Sequence, residues 1–312
     1  MVASISRCLV LGGGGFLGTN LCRRLVAAGV AVRAFGRTRS FPDALDGVEW
    51  HQGDFADAAA MTSAIESCDI VFHLVHASLP QTANRDMAED VRQSVLPSLT
   101  LLDLSRKLGV KRIVFVSSGG TVYGAAKEIP TPETAPTDPI TAYGIGKLMI
   151  EKYLGLHERL HGLSFRVLRV ANPFGPLQRD NKGQGLVAAL LGRALRDEPI
   201  DIWGDGSVVR DYIFVDDVVD ALQAAAVDTS DERIFNIGSG QGRSVREVIA
   251  AIEAQLGKRL TIEWRAGRPI DVPVSILSIA RSRDVLGWTP RTCFAHGLRR
   301  TLEWWRSAAS GR

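Results

Sequence analysis

An apolar run at residues 5–11 stops at the glycine-dense segment Gly12-Gly13-Gly14-Gly15-Phe16-Leu17-Gly18. Beyond it Leu17, Leu21 and Leu25 recur at helical spacing, with Arg23 and Arg24 on the other side. Strand, glycine turn and helix in that order are what a phosphate-binding turn needs. Gly12 permits the tight turn, Gly15 lets backbone approach a pyrophosphate, and Gly18 allows close packing of helix on strand. The helix N-terminus then offers free N–H groups and the positive end of its dipole. The alternative is a glycine-rich loop with no ligand.

Further strand-like runs at residues 30–35, 48–52, 70–74, 112–116 and 165–170 alternate with helical patterns near 15–28, 57–66, 86–108 and 141–161. Such alternation predicts an α/β fold with a doubly wound, Rossmann-like parallel sheet whose ligands bind at the carboxyl ends of the strands. The regularity breaks after residue 170. We expect a dinucleotide-binding domain over 1–171, to which 212–239 returns, and a smaller C-terminal α/β substrate lobe from 172–211 and 240–312. With 46% apolar and 23% charged residues, 312 residues can bury a substantial core. A net charge of +3 is too small to point to nucleic acid or a membrane surface. No apolar run approaches a membrane span. Cys8, Cys22, Cys68 and Cys293 are scattered, which fits reduced thiols in a cytoplasm better than a disulfide framework. The histidines show no metal-ligand spacing; His73 and His76, ending the fourth strand, read as packing or cofactor-wall residues.

Tyr143 and Lys147 lie one helical turn apart, so phenol and ammonium emerge on one face. To act as a base near pH 7, a phenol must release its proton about three pH units below its ordinary value of about 10. An adjacent lysine cation and an oxidised nicotinamide ring are two charges able to supply that change. Alone, the pair would be surface decoration. Downstream of a dinucleotide turn it reads as catalytic.

At this point the chain resembles the extended short-chain dehydrogenase/reductases acting on nucleotide sugars, most closely the UDP-glucose 4-epimerase branch. The stretches that carry the likeness are 12–18, 53–55, 117–124, 143–147, 169–176, 203–207, 210–212, 235–240 and 268–271. The resemblance implies NAD held and recycled, a UDP-sugar substrate and a homodimer formed through the helices near 86–108 and 141–161. Leu101, Leu102, Leu148 and Ile150 there could serve the interface or the core. It also implies that Tyr143 takes the sugar 4-hydroxyl proton and that Lys147 holds the nicotinamide ribose. Phe16, Leu17, Phe55 and Leu74 join Gly12, Gly15 and Gly18 around the cofactor. Asp54 matches a carboxylate that accepts from adenine, with a helix cap as the alternative. Asn172, Arg210 and Arg268 match diphosphate anchors, and Asp271 a ribose contact.

The chain departs from that pattern in places. Gly36 replaces the acid expected at the end of the second strand, with Arg37 and Arg39 beside it. This admits NADP as well as NAD. Gly119 replaces the hydroxyl residue four positions before Tyr123, so the 4-hydroxyl partner is expected to be Thr121, with Ser118 in reserve. No carboxylate lies at 119–121, which argues against elimination chemistry. Ser275 replaces a bulky aromatic and predicts room for an N-acetyl group on the sugar. The competing functions are an NADPH-dependent reductase of 4-keto nucleotide sugars and a redox-sensing regulator.

Overall fold

The computed structural model describes residues 6–76, 83–180, 185–267 and 272–310. Strand β1 (Arg7–Leu11) is buried from Cys8 onward. Cys8 and Val10 enter one apolar cluster, Leu9 and Leu11 another on the opposite face. An unbroken apolar run is thus a period-two strand covered on both sides. The glycine turn leads into helix α1 (Phe16–Ala27). Gly12 has φ +82°, and a Cβ on Gly18 would overlap the Gly12 carbonyl oxygen, so this helix start tolerates no side chain there.

From β1 the sheet grows to one side through β2 (Ala31–Gly36) and β3 (Val48–Gln52). Asp57 then caps α2 (Ala58–Ile65) by accepting from the amides of Ala59 and Ala60. The chain crosses back to β4 (Ile70–His73), on the other side of β1. Next come α3 (Met87–Asp90), a π-helical turn over Val91–Val95, and α4 (Leu96–Lys107). They lead to β5 (Arg112–Ser118), which runs two residues further than its apolar pattern suggests. Helix α5 (Ala142–His161) returns the chain to β6 (Ser164–Val170).

The C-terminal part opens with β7 (Asn172–Phe174), α6 (Leu186–Leu195), β8 (Ile200–Trp203) and β9 (Val209–Phe214). Helix α7 (Val215–Val227) packs on the same face as α1, and β10 (Ile234–Ile237) pairs with β6. There follow β11 (Gly242–Ser244), α8 (Val245–Leu256), β12 (Ile262–Arg265), β13 (Val274–Ser275), α9 (Ala280–Leu286) and α10 (Phe294–Ser310). The main sheet is parallel throughout, in the order β10-β6-β5-β4-β1-β2-β3. Its winding reverses between β1 and β4, where the strand ends open a crevice. In the smaller lobe β9 pairs with β7, β11 and β13, and β8 with β12, around a third apolar cluster.

Leu101, Leu102 and Ile150 belong to the core, and Leu148 packs half-buried beneath the loop after β5. The apolar side chains exposed on α4 and α5 are Leu96, Ile145, Leu156 and Leu160. Among the described residues no helix is long and apolar enough to cross a membrane.

Candidate active site

A cleft of about 1000 Å³ runs from the glycine turn, past the ends of β4 and β5, to the smaller lobe. Gly12, Gly15, Phe16, Leu17, Gly18 and Leu74 line one end. The Gly15 amide is used within the turn, donating to the Gly12 carbonyl at 3.0 Å. The first amide to bond back along α1 is Thr19, to Gly15, at 2.9 Å. The amides of Phe16, Leu17 and Gly18 therefore have no partner inside the helix, and the first turn carries no acid. That end suits a pyrophosphate.

Tyr143 sits in the first turn of α5. The helix start is fixed by the Thr141 hydroxyl, which accepts from the Gly144 amide at 3.1 Å, and by Asn84, whose Oδ1 accepts from the Ala142 amide at 2.8 Å. One turn on, Lys147 is fully enclosed. Its ammonium donates to the Val116 carbonyl at 2.8 Å and lies 4.8 Å from the Phe115 ring centre and 5.7 Å from that of Tyr143. Burial pulls the Lys147 ammonium down to about 7, against the opposing pull of Glu151 and Asp90. Burial, reinforced by the Asp90 carboxylate, pushes the Tyr143 phenol up. The lowering expected from sequence invokes the nicotinamide cation together with the lysine, and the lysine by itself does not supply it. In the ligand-free chain the lysine is turned to a carbonyl, and a low-dielectric wall with a nearby negative charge outweighs it. Tyr143 is here a neutral phenol.

Across from Tyr143, Ser118 and Thr121 both line the cleft. The Ser118 carbonyl accepts from the amides of Thr121 and Val122, folding the loop back. The Thr121 hydroxyl is buried with no hydrogen-bond partner. Gly119 is explained by packing: a Cβ there would overlap Leu277 Cδ1 and lie 3.0 Å from the Arg169 carbonyl. Below the loop Arg169 forms a buried pair with Glu151 at 2.6 Å and donates to the Tyr123 hydroxyl at 2.9 Å. Glu151 also accepts from the Ser117 hydroxyl at 2.5 Å, and the Tyr123 hydroxyl donates to Asn236 Oδ1 at 2.7 Å. This network ties β5, α5, β6 and β10 together under the site.

At the far end Asn172 and Arg210 line the cleft. Asn172 donates to the Asp211 carbonyl at 3.0 Å, and Arg210 to the carbonyls of Val209 and Val272 at 2.9 and 2.7 Å. Arg268 and Asp271 lie outside the described residues. Ser275 stands opposite Arg210 in register but is not in the cleft wall. The Phe55 side chain is buried, its ring centre 5.1 Å from that of His73, and does not form part of the cleft wall. Asp54 is exposed and accepts from the Ala56 amide at 2.9 Å, in a turn that precedes the capping Asp57. Arg39 donates to the carbonyls of Pro42 and Leu45, whereas Arg37 is exposed.

Sequence reasoning missed Asp90 and Gln178. Asp90 follows Glu89 and reads as solvated helix, yet its carboxylate is buried against His76 at 3.1 Å. Gln178 lines the cleft, with its side-chain oxygen unpartnered. Among the described residues no acidic, histidine or cysteine cluster could hold a metal ion.

The NAD dependent epimerase/dehydratase family model matches residues 8–238. The chain is 34% identical over 309 residues to a UDP-glucose 4-epimerase of Mycolicibacterium smegmatis, covering 96% of this chain and 99% of the relative. It is 29% identical over 305 residues to a dTDP-4-dehydro-6-deoxyglucose reductase of Escherichia coli, covering 95% and 96%. Among solved structures, the UDP-glucose 4-epimerase of Thermotoga maritima with UDP-glucose superposes with a TM-score of 0.93 at 35% identity. That match covers 97% of this chain and 99% of the other.

Proposed function

Since the chain belongs to the NAD-dependent epimerase/dehydratase family, we propose that it is a nucleotide-sugar 4-epimerase of the UDP-glucose/UDP-galactose type. The observation that carries the reading is the convergence on one cleft of the glycine turn, Tyr143, Lys147 and the unpartnered Thr121 hydroxyl. The free amides of α1 and the uncharged first turn fit the pyrophosphate of NAD, with Lys147 beside the end of β5 for the nicotinamide ribose. When bound, NAD supplies a reversible hydride acceptor for the sugar C4.

Tyr143 holds and moves the proton of the C4 hydroxyl at its phenolic oxygen. Thr121 has a free hydroxyl to hold the same C4 oxygen, and Ser118 lies behind it. Asn172 and Arg210 hold the diphosphate, an arrangement that leaves the sugar free to turn between its two faces. Residues 119–121 carry no carboxylate, so the loop has no acid for an elimination. Ser275 lies on β13 outside the cleft wall, so its small side chain by itself makes no room there for an N-acetyl group. The exposed Leu96, Ile145, Leu156 and Leu160 favour a homodimer formed through α4 and α5.

One observation favours a second reading. The dTDP-4-dehydro-6-deoxyglucose reductase of Escherichia coli matches 95% of the chain, and Gly36 beside Arg37 leaves room for the 2′-phosphate of NADPH. The test is to incubate the purified protein with UDP-glucose or UDP-galactose and no added cofactor. Interconversion, with NAD retained on the protein, is expected. Turnover only of a 4-keto sugar, with stoichiometric consumption of NADH or NADPH, would replace the epimerase reading with the reductase.

A further inference from the structure

His76 lines the cleft and Asp90 lies buried behind it, and neither takes part in the proton transfer proposed for Tyr143. His76 Nε2 lies 3.1 Å from Asp90 Oδ1, with side-chain exposures of only 5% and 2%. The His76 ring stands edge to face against Tyr143, with ring centres 4.5 Å apart and planes at 67°. Gly146, on the inner face of α5, makes the approach possible. A Cβ there would lie 3.1 Å from Asp90 Oδ2 and 3.4 Å from His76 Cε1. Two elements distant in sequence, the end of β4 and helix α3, are thus brought against the catalytic helix where it has no side chain.

A carboxylate so deeply enclosed needs a hydrogen-bonding partner. His76 supplies one through Nε2–H, which leaves Nδ1, buried and unpartnered, as an acceptor in the cleft wall. Burial holds the imidazole down at about 4, so His76 is the uncharged member at neutral pH, and the Asp90 carboxylate raises both Tyr143 and Lys147. The other ionisable groups facing this place come from each neighbouring element. Lys147 and, a turn later, Glu151 come from α5; His73, bonded to the Ser98 hydroxyl at 2.9 Å, comes from β4. Exposed Arg85 lines the cleft from the short turn Ala83–Arg85.

We propose that His76 and Asp90 are a positioning pair for Tyr143. The ring of His76 fixes the phenol edge-on, and the clamped Asp90 carboxylate sets a fixed negative charge behind it. The phenol then keeps its proton while the cleft lacks a cation, and a positively charged ligand is favoured there over a neutral one. The proposal rests on the reading of Tyr143 as the acid–base residue.

The test compares ligand-free wild type with Asp90→Asn, which keeps an acceptor for His76 but removes the charge, and with Asp90→Glu, which restores it. Tyrosinate absorbance is followed against pH, with the Tyr143 contribution taken as the difference from Tyr143→Phe. In Asp90→Asn its ionisation is expected to move to lower pH by about one unit or more. Binding of oxidised and reduced NAD is measured on the same proteins. Asp90→Asn is expected to lose affinity for the oxidised form relative to the reduced form by about tenfold, with Asp90→Glu recovering most of it. Should Asp90→Asn not fold, Asp90→Ser takes its place in both measurements. His76→Gln, which keeps an N–H donor without the ring, is expected to lower kcat with KM little changed. If the uncharged variant leaves both the ionisation and the oxidised-to-reduced ratio within twofold of wild type, the proposal is overturned and Tyr143 keeps its role. Undiminished turnover by Tyr143→Phe would instead overturn the reading of Tyr143 and the proposal with it.

Discussion

Gly119 and Leu277 compete for one place: a Cβ on the glycine would overlap Leu277 Cδ1, and behind it the Arg169 carbonyl leaves no retreat. Leu277 is fully buried beside Val122 and Tyr123 and cannot swing into solvent. Position 119, where the family resemblance implies a hydroxyl residue, is therefore closed by packing from the smaller lobe. Gly119→Ser is expected to destabilise the protein by about 1–3 kcal/mol, as overpacking does. Combining it with Leu277→Ala should cost less than the two single changes added together, because the space left by the leucine relieves the overlap. Denaturant midpoints of the single and double variants decide it; equal midpoints for Gly119→Ser and wild type would contradict the clash.

With position 119 closed, the hydroxyl role falls on Thr121. Its oxygen is buried without a partner, a state that costs stability unless a ligand relieves it. Thr121→Val keeps the shape and removes the orphan. Melting temperature is expected to hold or rise, while kcat falls by about tenfold or more. A variant that melts lower and turns over normally would show the hydroxyl to be structural.

Tyr143→Phe keeps the ring against His76 and deletes only the proton-carrying oxygen. Turnover is expected to fall by about 10²–10⁴-fold, the usual span for general acid–base catalysis. NAD affinity should change little, since the amides of α1 and Lys147 remain. Steady-state rates and a binding titration separate the two effects.

What could be read from the sequence was what repeats locally. The run into Gly12, the leucines of α1 and the one-turn step from Tyr143 to Lys147 all obey a short period, so strand, helix and shared face followed from spacing. Contacts made across the fold left no such trace. Asp90 follows Glu89 and looks solvated, yet it is buried because α3 lies against Gly146. The side chain of Phe55 packs into the core, which no local pattern in its loop reveals. Strands β11 and β13 are three and two residues long, too short to show alternation. Spacing likewise reveals the lysine beside Tyr143 but not the burial that raises its phenol.

The enclosure of Glu151 and Arg169 supports a sharper test of what holds the site. Both side chains are nearly inaccessible, and the carboxylate also accepts from Ser117. Removing one member leaves the other charged and unpaired in the interior. Glu151→Gln is expected to cost about 3–5 kcal/mol. Removing both with Glu151→Leu and Arg169→Met should cost less than the two single changes added together. Strict additivity would mean the pair is not coupled.

Lys147 gives a pH dependence whose sign can be worked out. In the unfolded chain its ammonium titrates near its ordinary value, about 10.4. In the folded, ligand-free chain burial lowers it to about 7. Between these pH values the unfolded state binds a proton that the folded state has released. Stability from this group therefore rises with pH across that window and is smallest below it, where a charged amine must be buried. Near pH 10 the effect of Tyr143 enters with the opposite sign, because the folded phenol keeps a proton that the unfolded one loses. The melting temperature of the ligand-free wild type should thus climb by several degrees relative to Lys147→Met from pH 7 to pH 9 and the difference should level off above about pH 10, since the Tyr143 effect is common to both proteins. Parallel curves for the two proteins over the whole range would mean that Lys147 keeps its full charge in the interior, stabilised by Glu151 and Asp90 beyond what burial removes.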